Sequence, residues 1–410
     1  MTRNRAALAI PAAVLVLSGC GVAAAVTAHT KTVSMVIPKL SVSDGQRLRS
    51  LPRPAVLPVV KATPPATNPG QATAPGSSAF LVANMSGAGA DSWLEILTRT
   101  GTVVAKTAIN PTQGWMVAAG PGGAYWTQSG SEYVLTSTGA VHRLGAVAAE
   151  ATGVLISPDG TEYAYATADT SASGVTTNKI VVVRVGRSTV TIADRLSDPN
   201  HPTADAPSNG WDYYLISWTS AGIAFARVPT GGCGCGLFDM QMQSAYSATI
   251  NPVTEVVTPL ASDQSCPLSA IGPGGETACF TNDMNTGGTT GLRVSVGGAH
   301  RYSFAMSGAN IAGAAVFSPD GASLAYVTVP ASEDGCGQAW TATLRVLNLA
   351  TGKATMRALG EFTPVVWAAN GLIYGTVQGA NALTLVSVSP TTLAVTQLSG
   401  AGADQLVGIV

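Results

Sequence analysis

Charge is scarce in this chain. Of its 410 residues, only 10% are Asp, Glu, Lys or Arg, and only 6% are aromatic. Long runs rich in Glu, Lys and Leu, the usual material of surface helices, are absent. This argues against a helical bundle and favours an all-β chain with many short turns. Histidine occurs at His29, His142, His201 and His300, and never in the His-Glu-x-x-His spacing that seats zinc on a helix. No Gly-x-Ser-x-Gly elbow occurs, which excludes a hydrolase domain built on that nucleophile turn. No glycine-rich phosphate loop opens a helix, because the Gly-Gly pairs sit between strand-like runs. The residues therefore point to no catalytic set, no cofactor and no metal.

What is plentiful is glycine, at 46 residues, together with Ala, Ser and Thr. A twelve-residue phrase is used twice. It runs from Ile156 through Ser157, Pro158, Asp159 and Gly160 to Thr167, and again from Phe317 through Ser318, Pro319, Asp320 and Gly321 to Thr328. Each copy reads as strand, tight turn, strand. Pro presets φ, Asp can bond the backbone two residues on, and Gly takes the φ > 0 position. Related turns stand at Gly123, Gly222, Gly275 and Gly371. The last glycines of the six turns are 37 to 62 residues apart, close to the length of one propeller blade with insertions. The unit around Asp159 predicts four strands, at 153–156, 162–167, 179–185 and 188–194. Residues 79–84, 93–98 and 102–108 predict three more that lack a first strand. Residues 405–410 have strand character and are expected to complete that sheet, hiding an open edge. The spacing predicts a β-propeller of seven blades, with six and eight as the neighbouring counts.

Ser-Pro-Asp-Gly followed by an apolar strand resembles the repeat of TolB-type and related WD-like propellers, over about 330 residues and well formed in two units. The resemblance implies a fold and carries no chemistry. TolB's own partners do not transfer, because TolB has six blades, and Pro-rich residues stand here where TolB carries an α/β domain.

The N-terminus reads as an export signal. Arg3 and Arg5 form a positive head, and 6–17 are apolar. Leu17, Ser18, Gly19 and Cys20 resemble the lipobox of bacterial lipoproteins, which implies cleavage before Cys20 and a lipid on its thiol. Two alternatives stand beside it. Residues 6–28 are long enough to span a bilayer uncleaved, and Val26, Thr27 and Ala28 fit ordinary signal peptidase, which would release a secreted protein. All three put the globular part outside the cytoplasmic membrane. The expected organisation is a signal peptide at 1–20, a Pro/Thr/Ala-rich tether at 21–78 and the propeller at 79–410. Residues 1–61 carry eight basic residues and one acid, and the remainder carries 13 basic and 21 acidic residues. An acidic globular part argues against a nucleic-acid partner. The basic stretch fits either an anionic lipid surface or a solvated linker.

Long insertions at 168–178, 196–213, 229–239, 281–290 and 330–338 are expected on the face opposite the Ser-Pro-Asp-Gly turns. Loops on a rigid scaffold are where binding concentrates. The candidate ligand-binding residues are Asp198, His201, Asp205, Trp211, Asp212 and Tyr213, read as a connection between blades. The same residues also fit a turn segment whose aromatics cap the core. Disulfides are favoured over zinc in an exported chain. Cys266 and Cys279 flank one hairpin, and Cys233 or Cys235 pairs with Cys336, leaving one thiol over. The functional reading is a lipid-anchored envelope module on the extracytoplasmic face, binding a protein or glycan partner without catalysis. The alternative is a channel-site enzyme, a glycan-active lyase or hydrolase using the acids of 198–212.

Overall fold

The computed structural model describes residues 80–85, 92–109, 117–148, 151–170, 176–184, 190–192, 211–229, 246–263, 266–283, 286–333, 340–378, 383–398 and 404–409. Among them there is no α-helix, only one 3-10 turn at Ala331–Glu333. The strands follow one another as antiparallel meanders. β1 (Phe80–Met85), β2 (Ser92–Leu97) and β3 (Val103–Ile109) open the first sheet. The second holds β4 (Val117–Gly120), β5 (Gly123–Gln128), β6 (Ser131–Leu135) and β7 (Val141–Ala146). The third holds β8 (Thr152–Ile156), β9 (Glu162–Thr170), β10 (Thr176–Arg184) and β11 (Val190–Ile192). The fourth holds β12 (Trp211–Thr219), β13 (Gly222–Pro229), β14 (Tyr246–Ile250) and β15 (Val257–Asp263). The fifth holds β16 (Leu268–Ile271), β17 (Thr277–Asn282), β18 (Thr289–Val296) and β19 (Ala299–Ala305).

β20 (Asn310–Phe317), β21 (Ser323–Pro330), β22 (Ala342–Asn348), β23 (Ala354–Trp367), β24 (Ile373–Gln378), β25 (Leu383–Val388) and β26 (Val395–Gln397) then form one continuous seven-stranded sheet. It is two meanders sharing a strand. The first half of β23 pairs with β22 and the second half with β24. Gly360 sits at the changeover with φ of 68°, a left-handed value that glycine adopts without steric cost. The last strand, β27 (Asp404–Ile409), pairs antiparallel with β1, so the first sheet is built from both ends of the domain.

The repeated turns work as their residues dictate. Ser157 Oγ donates to Asp159 Oδ1 at 2.6 Å, and the Thr161 amide donates to the same oxygen at 3.0 Å. Gly160 closes the turn with φ of 71°. Ser318, Asp320, Ala322 and Gly321 repeat this set atom for atom, at 2.6 and 3.0 Å and φ of 69°. In both copies the serine hydroxyl is the largest influence holding the Asp carboxyl below its ordinary range.

Middle strands are apolar on both faces, as in sheets covered on both sides. Alternate residues serve different cores. Tyr163 and Tyr165 of β9 pack with Val134 of the second sheet, while Ala164 and Ala166 pack with Phe225 of the fourth. Other cores join the first sheet to the second (Leu94, Trp126) and the fifth to the β20–β23 meander (Phe280, Tyr326). A further core holds Phe362 and Ile373 against Val327 and Leu344. Leu97 and Leu406 of the first sheet share a core with Tyr374 and Leu385 of the last. Meander sheets whose first strands lie side by side, β27 by β4, β4 by β8, β8 by β12, β16 by β20 and β20 by β23, make a β-propeller.

Two expectations about the connections change. Residues 168–178 are not wholly a loop, because the β9–β10 ladder continues through Ala168, Asp169 and Thr170 paired with Asn178, Thr177 and Thr176. The 281–290 insertion is shorter than expected, since β17 runs to Asn282 and β18 starts at Thr289.

A chain ending at residue 403 would lose β27, bare the edge of β1 and open the core around Tyr374. It is expected to melt at lower temperature and with a broader transition than the full chain. Leu406→Ala alone is expected to cost about 2–5 kcal/mol in urea unfolding. Melting curves that overlay the parent's would show that the tail strand is dispensable.

Candidate functional site

Asp198, His201 and Asp205 lie outside the described residues, as do Cys20, Cys233, Cys235 and Cys336. Trp211, Asp212 and Tyr213 do not form a connection between blades. They are the first three residues of β12 and pair with Pro229, Val228 and Arg227. Tyr213 is buried, with its ring 5.2 Å from that of Phe225. Burial pushes its phenol pKa up, and the Arg227 side chain, which hydrogen-bonds it, pulls the other way. Tyr213 is thus a core residue with a satisfied hydroxyl, and the candidate ligand set loses it. The reason is strand pairing: an aromatic on the covered face of a two-sided sheet is claimed by the neighbouring sheet.

Cys266 and Cys279 do form a disulfide, with Cα atoms 5.2 Å apart. It ties Cys266, two residues before β16, to β17, across the open end of that hairpin. Closing a loop of 13 residues is worth about 3 kcal/mol through the unfolded chain.

A groove of about 530 Å³ opens between the second and third sheets at the Ser-Pro-Asp-Gly end. Pro121, Gly122 and Tyr125 form one wall, and Asp159 and Gly160 the other. The two turns touch closely. A Cβ on Gly160 would lie 2.7 Å from the Pro121 carbonyl oxygen, so this glycine serves the packing of turns as well as its own φ. Tyr125 donates its hydroxyl to that same Pro121 carbonyl.

In the same joint, on the face of β6 that carries Val134, sits Glu132. Its side chain is 0% exposed, and neither carboxylate oxygen has a hydrogen-bond partner. Tyr163, nearby, donates instead to the Ala146 carbonyl at 3.0 Å. Burial pushes the Glu132 carboxyl well above the usual range. Its charge when ionised, after burial itself, pushes up the phenols of Tyr125 and Tyr163. The carboxyl is closed to water and has no hydrogen-bond partner. Among the described residues no three His, Cys, Asp or Glu side chains gather as metal ligands would. Sequence reasoning passed over Glu132. Its one signal was an acid inside Ser-Glu-Tyr-Val-Leu, a run otherwise suited to a covered strand.

No protein-family model matches this chain, and no curated protein matches it in sequence. Solved structures resemble it distantly. A candidate 6-phosphogluconolactonase from Bacteroides fragilis is 13% identical, covers 83% of this chain and 99% of its own, and superposes with a TM-score of 0.46. A candidate TolB from Agrobacterium tumefaciens is 14% identical over 70% of this chain and 91% of its own, with a TM-score of 0.39. TolB from Acinetobacter baumannii is 11% identical over 79% of this chain and 80% of its own, at 0.40. Likenesses of this degree carry no argument about function.

The buried carboxyl has a consequence for stability. The folded chain holds the Glu132 proton to higher pH than the unfolded chain does. Its contribution is therefore most favourable below the ordinary glutamate range and declines as pH rises from about 4.5 until the folded carboxyl ionises. Glu132→Gln is expected to raise the melting temperature at about pH 7–8 and to flatten that decline. Urea unfolding at a series of pH values checks this. Parallel stability curves for parent and variant would refute the assignment.

Proposed function

We propose that this chain is a lipid-anchored envelope protein whose domain is a seven-bladed propeller, closed by β27 and acting as a non-catalytic binding or scaffold module. The ring count is supported by five four-stranded sheets, the double meander through β23, and the core shared by Leu97, Leu406 and Tyr374. Cys20 carries the lipid and residues 21–78 hold the domain away from the extracytoplasmic face of the membrane. The partner is an envelope protein or a glycan.

One observation carries the non-catalytic reading. The strands nearest the ring's centre are packed against one another through glycine and alanine. A Cβ on Gly408 would lie 2.8 Å from the Ala119 Cβ, and one on Gly120 would lie 2.7 Å from the Ile156 Cβ. Asp212 of β12, Glu361 of β23 and Asp404 of β27 are the acids of these seven strands, and none of the seven (β4, β8, β12, β16, β20, β27 and β23 counted from Glu361) carries Lys, Arg or His. Channel chemistry needs an acid and a base held around open space. These strands supply close contact instead, which suits a rigid frame for loops.

Two measurements test the proposal. Mass spectrometry of the mature protein is expected to find an N-terminal Cys20 bearing diacylglycerol. A chain that retains residues 1–20, or one that begins at His29, would replace the lipid anchor with the uncleaved or secreted form. Cross-linking in solubilised envelope is expected to return a defined protein or glycan, and to fail when Asp198, His201, Asp205 and Asp212 are replaced together. Turnover of an envelope glycan that those replacements abolish, with melting unchanged, would establish the enzyme instead.

A further inference from the structure

A second cavity, of about 290 Å³, lies where the fifth sheet meets the β20–β23 meander. Its wall includes Arg345 of β22, Tyr326 and Thr328 of β21, Asn310 of β20, and Thr289 and Ser307. It opens at the end of the joint opposite the Ser318–Gly321 turn, near the ends of β21 and β19.

Arg345 is half-buried. Its Nε donates to Thr328 Oγ1 at 3.1 Å, and Nη1 reaches Met356 Sδ at 3.8 Å. Both partners are neutral. Of the other cations on these ladders, Arg143 donates to Ser131 Oγ and Arg357 to the Leu393 carbonyl, while two are matched by an acid directly opposite. Arg184 on β10 stands opposite Glu162 on β9 and is bonded to it at 2.5 Å. Lys106 on β3 stands opposite Glu95 on β2, 2.7 Å away. In the β21–β22 ladder the residue opposite Arg345 is Tyr326, not a carboxylate. Among the described residues no acid pairs with Arg345, and none lines the cavity.

The remaining wall is rich in donors. Thr328 accepts from Arg345 and keeps its own hydroxyl proton to give. Tyr326 stays protonated: burial pushes its phenol up more than the guanidinium draws it down. Asn310 brings an amide and Ser307 a hydroxyl. Thr289 is already committed, donating to Asn282 Oδ1 and accepting from the Ala312 amide at 2.9 Å each, so it fixes the wall's shape. A partly desolvated guanidinium with free N–H groups, ringed by hydroxyl and amide donors, matches a planar or tetrahedral oxyanion. The domain is acidic as a whole, so bulk attraction of anions does not account for such a place.

We propose that this cavity binds a small oxyanion, a carboxylate or a phosphate group, with Arg345 as its counter-charge. This deepens the reading of the propeller as a binding module, and it rests on that reading only for its biological use.

The test is titration calorimetry and melting of the full chain in detergent with sodium glucuronate and, separately, with inorganic phosphate, against sodium chloride at equal ionic strength. Saturable binding of one probe is expected, and which one binds tells the carboxylate from the phosphate. Arg345→Gln is expected to weaken it by about tenfold or more, with Arg345→Lys recovering part of the loss. Thr328→Val, which leaves the charge alone, is expected to weaken it several-fold. The proposal is overturned if neither probe binds saturably, or if a folded variant at either position binds as tightly as the parent. Should Arg345→Gln not fold, Thr328→Val decides. Partner capture that persists in Arg345→Gln distinguishes failure of this site from failure of the binding-module reading.

Discussion

A sheet that is apolar on both faces has to be covered twice. Helices are the usual cover, and among the described residues this chain has none. Sheets here are covered by neighbouring sheets instead. β9 makes the point in four consecutive residues: Tyr163 and Tyr165 go to one neighbour, Ala164 and Ala166 to the other. β27 pairs with β1, and Leu406 shares a core with Leu97 and with Tyr374 of the last meander. The burial involved is large, since each well-buried Leu or Tyr contributes about 1.5–3 kcal/mol over its exposed state.

Radial packing also dictates where reactive groups can sit. At Gly408, Gly120 and Gly160 the backbones of neighbouring sheets come so near that a single added carbon would collide. Two polar side chains in the joints between sheets stand out. Glu132 is sealed into one joint without a partner, and Arg345 faces a cavity in another. They differ in what surrounds them. Glu132 meets phenols whose hydroxyls are turned to backbone carbonyls, and burial pushes its carboxyl pKa well above the usual range. Arg345 meets hydroxyl and amide donors that leave its charge unanswered, which is the condition for receiving an anion from solution.

Much of the fold could be read from residues alone. Ser157, Asp159 and Gly160, and their counterparts at Ser318, Asp320 and Gly321, announce the same turn because every bond that holds it lies within six residues. The disulfide between Cys266 and Cys279 was legible for a similar reason, as a short loop around one hairpin. Tyr213 was misplaced. Asn209 and Gly210 just before it look like the middle of a turn, and nothing local reveals that the strand begins at Trp211. The polar stretch at 168–178 lacks apolar alternation, yet β9 and β10 pair across both its ends, because backbone hydrogen bonds hold a ladder whatever its side chains.

Glu132 and Arg345 were invisible for a different reason. Glu95, Glu162 and Arg184 also sit singly inside strands, yet each finds a charged partner one strand away. No pattern along the chain separates these cases, because the register of the opposing strand supplies the answer. Turn chemistry and the order of hairpin strands are short-range properties, carried by bonds and preferences within a few residues, so composition and spacing suffice to read them. Whether a given charge ends up paired, sealed or facing a cavity depends on side chains far away in the chain, and those meet only when the sheets close on one another.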